Sequence, residues 1–177
     1  MYLTEHFGLS LSALVVWGLM MAFFFNLFLW IADLKRNNVL LLSSFIVFLS
    51  YFISDHLFTW FANSNVYLNW AIYDIITITL ITISAHFVKN NCKPPAFFYV
   101  IFVLSVNTIL SSLMYYDLRI AGNTTPWVLW DIYSFGVYFL DFTMIVALIV
   151  DRDILGLIRL KNGIKALFKG QQIRHSL

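Results

Sequence analysis

Residues 11–32 read LSALVVWGLMMAFFFNLFLWIA, and this stretch decides the fold. It holds no charged side chain and matches the roughly 20 apolar residues that carry a helix across the hydrocarbon core of a bilayer. Its apolar residues run without interruption, whereas a barrel strand alternates. Over such a length only a helix satisfies its own backbone in lipid. The polar run Asp33-Leu34-Lys35-Arg36-Asn37-Asn38 ends it.

Four further segments of the same kind follow, at about 39–61, 66–88, 96–116 and 126–150. Ala62-Asn63-Ser64-Asn65, the run Lys89 to Lys93 with Pro94 and Pro95 behind it, and Asp117 to Thr125 separate them. The prolines break the backbone, and Pro126 suits the first turn of the fifth helix. Of the 177 residues 61% are hydrophobic and only 11% charged, against about 25% charged in a soluble domain. A soluble globule and a disordered chain are both excluded. The expected fold is an all-α bundle of five transmembrane helices over residues 1–151, with a basic tail at 152–177. The first span follows no basic n-region and precedes no small-residue cleavage site, so it reads as retained rather than as a signal peptide.

Orientation follows from the basic residues. Of the 11 lysines and arginines, all but Arg119 fall on one side of a five-span chain. By the positive-inside rule the N-terminus is expected outside and the C-terminus in the cytoplasm. Trp60, Trp70, Trp127 and Trp130 then form an outer interfacial belt. In the tail, Leu157, Leu160, Ile164, Leu167 and Phe168 share one helical face, with Arg152, Arg159, Lys161, Lys165 and Lys169 on the remaining arc. That pattern predicts an amphipathic helix lying on an anionic leaflet or docking a cytoplasmic protein.

Four carboxylates lie within the spans: Asp55, Asp74, Asp131 and Asp141. One such group at a helix centre costs about 2.5–3.5 kcal/mol on insertion scales. No lysine or arginine lies deep in a span to offset them. His56 stands beside Asp55, Asn107 near the middle of span four and Asn26 in the inner half of span one. Together these residues predict a polar ladder through the membrane, which Thr77, Thr79, Thr82 and Ser84 continue along span three. Trp70 and Asp74, like Trp127 and Asp131, are four residues apart, a hint of repeated hairpins.

Uncompensated acids in a low-dielectric interior attract cations or protons. The expected function is therefore a small channel or transporter-like protein with an acidic pathway through Asp55, His56, Asp74, Asp131, Asn107, Asp141 and Asn26. The competing class is a membrane sensor or anchor, as in bacterial defence or stress operons, whose basic tail recruits a cytoplasmic effector. A third is a lipid- or quinone-modifying enzyme. Enzymatic motifs argue against the last: HExxH, GxSxG, Walker A and GxGxxG are absent, and Tyr73-Asp74 has no GxGD beside it. The single cysteine, Cys92, excludes an intrachain disulfide and CxxC metal sites. No cofactor, metal or nucleic-acid partner is expected. A bundle this small buries its polar groups more readily when copies associate, so a homo-oligomer in a bacterial inner membrane is expected.

Overall fold

The computed structural model describes residues 2–34, 37–61, 66–88 and 93–153, with 156 and 159. For 2–10 and 56–61 it describes the backbone alone. Five helices result: α1 (Tyr2–Ile31), α2 (Asn38–Phe61), α3 (Val66–Phe87), α4 (Pro95–Tyr115) and α5 (Val128–Val150). A π-helical turn, Tyr116–Ile120, extends α4. All five are long and apolar enough to cross a membrane, as in a multi-pass membrane protein.

Local chemistry sets the helix ends. Helix α1 stops where Asp33 turns left-handed at φ 59°, and Leu34 N–H reaches back to the Leu29 carbonyl at 3.1 Å. Asn37 caps α2 by accepting from the Val39 and Leu40 amides at 3.1 and 3.2 Å. Pro94 and Pro95 contribute no N–H groups to the start of α4. The first free donor, Ala96, is met by Asp151 Oδ1 at 3.1 Å. Asp151 itself sits left-handed at φ 47° beyond the end of α5, so one aspartate closes α5 and caps α4. Pro126 does not enter α5, which begins at Val128 after an extended Trp127.

The helices form a closed ring. Each packs against the next in the chain, α5 returns to α1, and α2 also reaches α4. At Gly18 α1 approaches the α5 side chains closely: a Cβ there would stand 2.7 Å from Ile145 Cδ1. The C-terminal ends of α1, α3 and α5 lie together with the N-terminal ends of α2 and α4, termed the basic end for Lys93, Arg152 and Arg159. The C-terminal ends of α2 and α4 and the N-terminal ends of α3 and α5 lie at the far end.

Large apolar side chains face outward, Phe139 and Phe28 at 67% and 64% exposed. On a helix facing hydrocarbon this is the ordinary arrangement. The packed core occupies the basic half. Leu19, Val47, Ile81, Leu104 and Met144, one from each helix, are each 0% exposed and share one apolar cluster.

Candidate functional site

Between that core and the far end the helices enclose a cavity of about 540 Å³. Every helix contributes to it: Ser12 and Val15 from α1, Tyr51 and Asp55 from α2, Tyr73 and Asp74 from α3, Asn107 and Ser111 from α4, and Asp131, Tyr138 and Asp141 from α5. Exposure grades along it. Asp55, Trp70, Asp131 and Phe135 are exposed and mark the mouth, whereas Asn107, Ser111 and Asp141 are buried and form the floor.

The floor is a three-helix clasp. Asp141 Oδ1 accepts from the Tyr51 hydroxyl at 2.8 Å and from Asn107 Nδ2 at 2.9 Å. Asn107 Nδ2 also lies 3.4 Å from the Tyr51 oxygen. Asn107 is 3% exposed, and its Oδ1 has no hydrogen-bond partner among the described residues. Beside the clasp, Ser50 and Thr77 share a short hydrogen bond between α2 and α3. Higher up, Ser12 Oγ donates to Asp55 Oδ1 at 3.1 Å. Asp74 receives no hydrogen bond from any described residue.

Five of the seven residues expected to form a pathway therefore meet in one cavity: Asp55, Asp74, Asn107, Asp131 and Asp141. The His56 side chain lies outside the described residues. Asn26 stands apart, in the packed basic half. Its Nδ2 donates to the Ala22 and Leu148 carbonyls at 2.9 and 3.0 Å, which ties α1 to α5. The hydroxyls of α3 divide as well. Thr79 and Thr82 are exposed and bond back to the Ile75 and Ile78 carbonyls at 2.8 and 2.7 Å, so they line nothing inside. Asp74 and Asp131, the hinted repeat partners, both line the cavity, but Asp131 lies in the first turn of α5 and Asp74 is deeper in α3.

The cavity also uses residues not singled out from the sequence: Ser12, Tyr51, Tyr133 and Tyr138. A chain with 9 tyrosines and 18 phenylalanines offers no local signal that these rings point inward. Asp117 is a second such case. Its carboxylate accepts from the indole N–H groups of Trp127 and Trp130 at 2.9 and 3.0 Å, and Asn123 Nδ2 lies 3.3 Å from it. Asn123 N–H bonds the Asp117 carbonyl at 3.0 Å around Gly122, whose φ of 65° favours glycine. This clamp holds Trp127 extended and explains why α5 starts after it. Asp117→Ala leaves two indoles without their acceptor. Limited proteolysis should then cut the 118–127 segment several-fold faster than in the wild type, and an unchanged rate would remove the clamp's role.

Among the tail residues expected to bind a membrane surface or partner, Arg152 and Arg159 are described and exposed. Lys161, Lys165 and Lys169 lie outside the described residues, as does the amphipathic helix expected there. Asp153 Oδ1 accepts from the Tyr99 hydroxyl at 2.8 Å, and its Oδ2 from Arg159 N–H at 3.2 Å.

Comparison with family models, with curated proteins and with solved structures finds no match to this chain.

Proposed function

We propose that this chain is a small membrane channel or transporter-like protein whose cavity is the acidic, intramembrane part of a pathway for protons or cations. One observation carries the reading: four carboxylates share a cavity whose lining, among the described residues, holds no lysine or arginine. Side chains that only knit helices together pair off. Asp74, which no described residue bonds, is left for a mobile positive charge, and an unneutralised acid at that depth is costly. The apolar layer below the floor makes this a one-sided, closed state. With the N-terminus outside, as the positive-inside rule favours, the cavity faces outward in a bacterial inner membrane.

The test is proton and cation flux into liposomes holding the purified protein, at neutral and mildly acidic pH. Asp74→Asn keeps the shape of the side chain and removes its charge. Flux should fall roughly tenfold, as expected when a site loses an interaction worth about 1.4 kcal/mol. Full flux in a folded Asp74→Asn protein would exclude the pathway. A homo-oligomer is part of the same reading, and the mass of the detergent-purified particle checks it.

The observation favouring a second reading is the tie between Asp153, Tyr99 and Arg159. It fastens the start of the tail to α4, the helix that also supplies Asn107 to the cavity floor. On that reading the protein is a sensor or anchor, and the basic tail presents occupancy of the cavity to a cytoplasmic effector. Deleting residues 160–177 separates the two: lost signalling with intact flux favours the sensor.

A further inference from the structure

We propose that the cavity is a binding site for a small protonated organic amine, with its ammonium group between Asp74 and Asp141 and its body against the aromatic wall. The proposal deepens the cation-pathway reading and rests on it for the sign of the charge. Size is the first argument. At about 540 Å³ the cavity falls within the roughly 300–1,000 Å³ of small-molecule sites. That is far more room than one ion needs.

The arrangement of the acids is the second. A bound metal ion needs several oxygens converging at about 2.0–2.6 Å. Among the described residues no three acidic, histidine or cysteine side chains are grouped to do so. The carboxylates are instead distributed from mouth to floor, as suits a ligand with one charge and an extended body.

The wall is the third. Trp70, Tyr73, Tyr133 and Tyr138 line the space, and ring faces attract an ammonium more strongly once it is desolvated. Finally, Asn107 brings to the floor a buried oxygen with no donor among the described residues. An N–H-bearing ammonium supplies that donor, whereas a quaternary one cannot.

The experiment is equilibrium binding of radiolabelled phenethylamine to the full-length protein in nanodiscs at neutral pH. Competitors are 2-phenylethanol, which is neutral, phenethyltrimethylammonium, which lacks N–H, and sodium chloride at matched ionic strength. Saturable binding is expected, with the alcohol at least about tenfold weaker because it leaves the acids unpaired, and with the quaternary ion intermediate. Asp74→Asn should weaken binding roughly tenfold. That substitution removes no hydrogen bond from a described residue, so folding is expected to survive. Asp141→Asn serves as the second variant. Equal competition by the alcohol or by sodium, or unchanged binding in a folded Asp74→Asn protein, would overturn the proposal. The two readings fail separately. Amine binding in a protein that passes no ions keeps the site and removes transport. Asp74-dependent proton or metal-ion flux without amine binding keeps transport and removes the amine.

Discussion

If the cavity is a pathway, Asp141→Asn should fold and cut transport, whereas Asp141→Ala should also loosen the bundle. Alanine removes the acceptor on which the Tyr51 hydroxyl and the Asn107 amide both end, leaving the amide only its 3.4 Å approach to the Tyr51 oxygen. In a soluble core two unpaired donors would cost about 1–3 kcal/mol each. Interhelical hydrogen bonds in membranes average nearer 0.6 kcal/mol, with about 1.7 at the top of the range, because the unfolded chain in lipid finds other partners. The membrane figure applies here, so Asp141→Ala should lose roughly 1–3 kcal/mol in total, read as a lower unfolding midpoint in detergent. Asparagine keeps an acceptor oxygen and most of that stability. It removes the buried charge, and flux should drop about tenfold or more. Tyr51→Phe is the control: it breaks one arm of the clasp and leaves the carboxylate. If Asp141→Asn transports like the wild type, the clasp is only a fastening between α2, α4 and α5.

The second large effect lies one layer further in. Leu19, Val47, Ile81, Leu104 and Met144 close the space beneath the floor. Dry apolar constrictions of this kind block ions because water does not fill them. Truncating Leu104 and Met144 together to alanine should open a leak at least about tenfold above wild type in sealed liposomes. Each truncation should cost about 2–5 kcal/mol if the gap stays empty, and less if water enters it. Thermal unfolding and flux are therefore to be measured on the same preparation. Tight liposomes with a folded double variant would show that the barrier lies elsewhere.

The spans were legible because continuous apolar runs of the length of residues 11–32 have no other stable form in lipid. Observed ends differ from the expected ones by a residue or two, except at Tyr2, where α1 begins well before the apolar run. Asp74, Asn107 and Asp141 were legible as candidates because polar groups in such segments carry a cost. Which of them meet was not. Asn26 and Asn107 are the same amide in similar surroundings, yet one fastens α1 to α5 and the other floors the cavity. The difference lies in helix rotation, and a helix apolar all round carries little amphipathic signal to fix it. For the same reason the apolar layer was invisible: Leu104 differs in no local way from the exposed Ile109. The Asp117 clamp was hidden because an aspartate after a helix ordinarily reads as a solvated loop residue.

The joining of the first helix to the last has a consequence for how the protein is made. During synthesis α1 enters the membrane long before α5 exists. Until then the Asn26 amide lacks the Leu148 carbonyl, and Tyr51 and Asn107 lack Asp141. A nascent chain of four helices thus leaves each of these groups without its α5 partner. The arrival of α5 supplies all three missing partners at once. Assembly is committed by α5, the last of the five helices to be made, and a chain cut short before Val128 lacks all three partners.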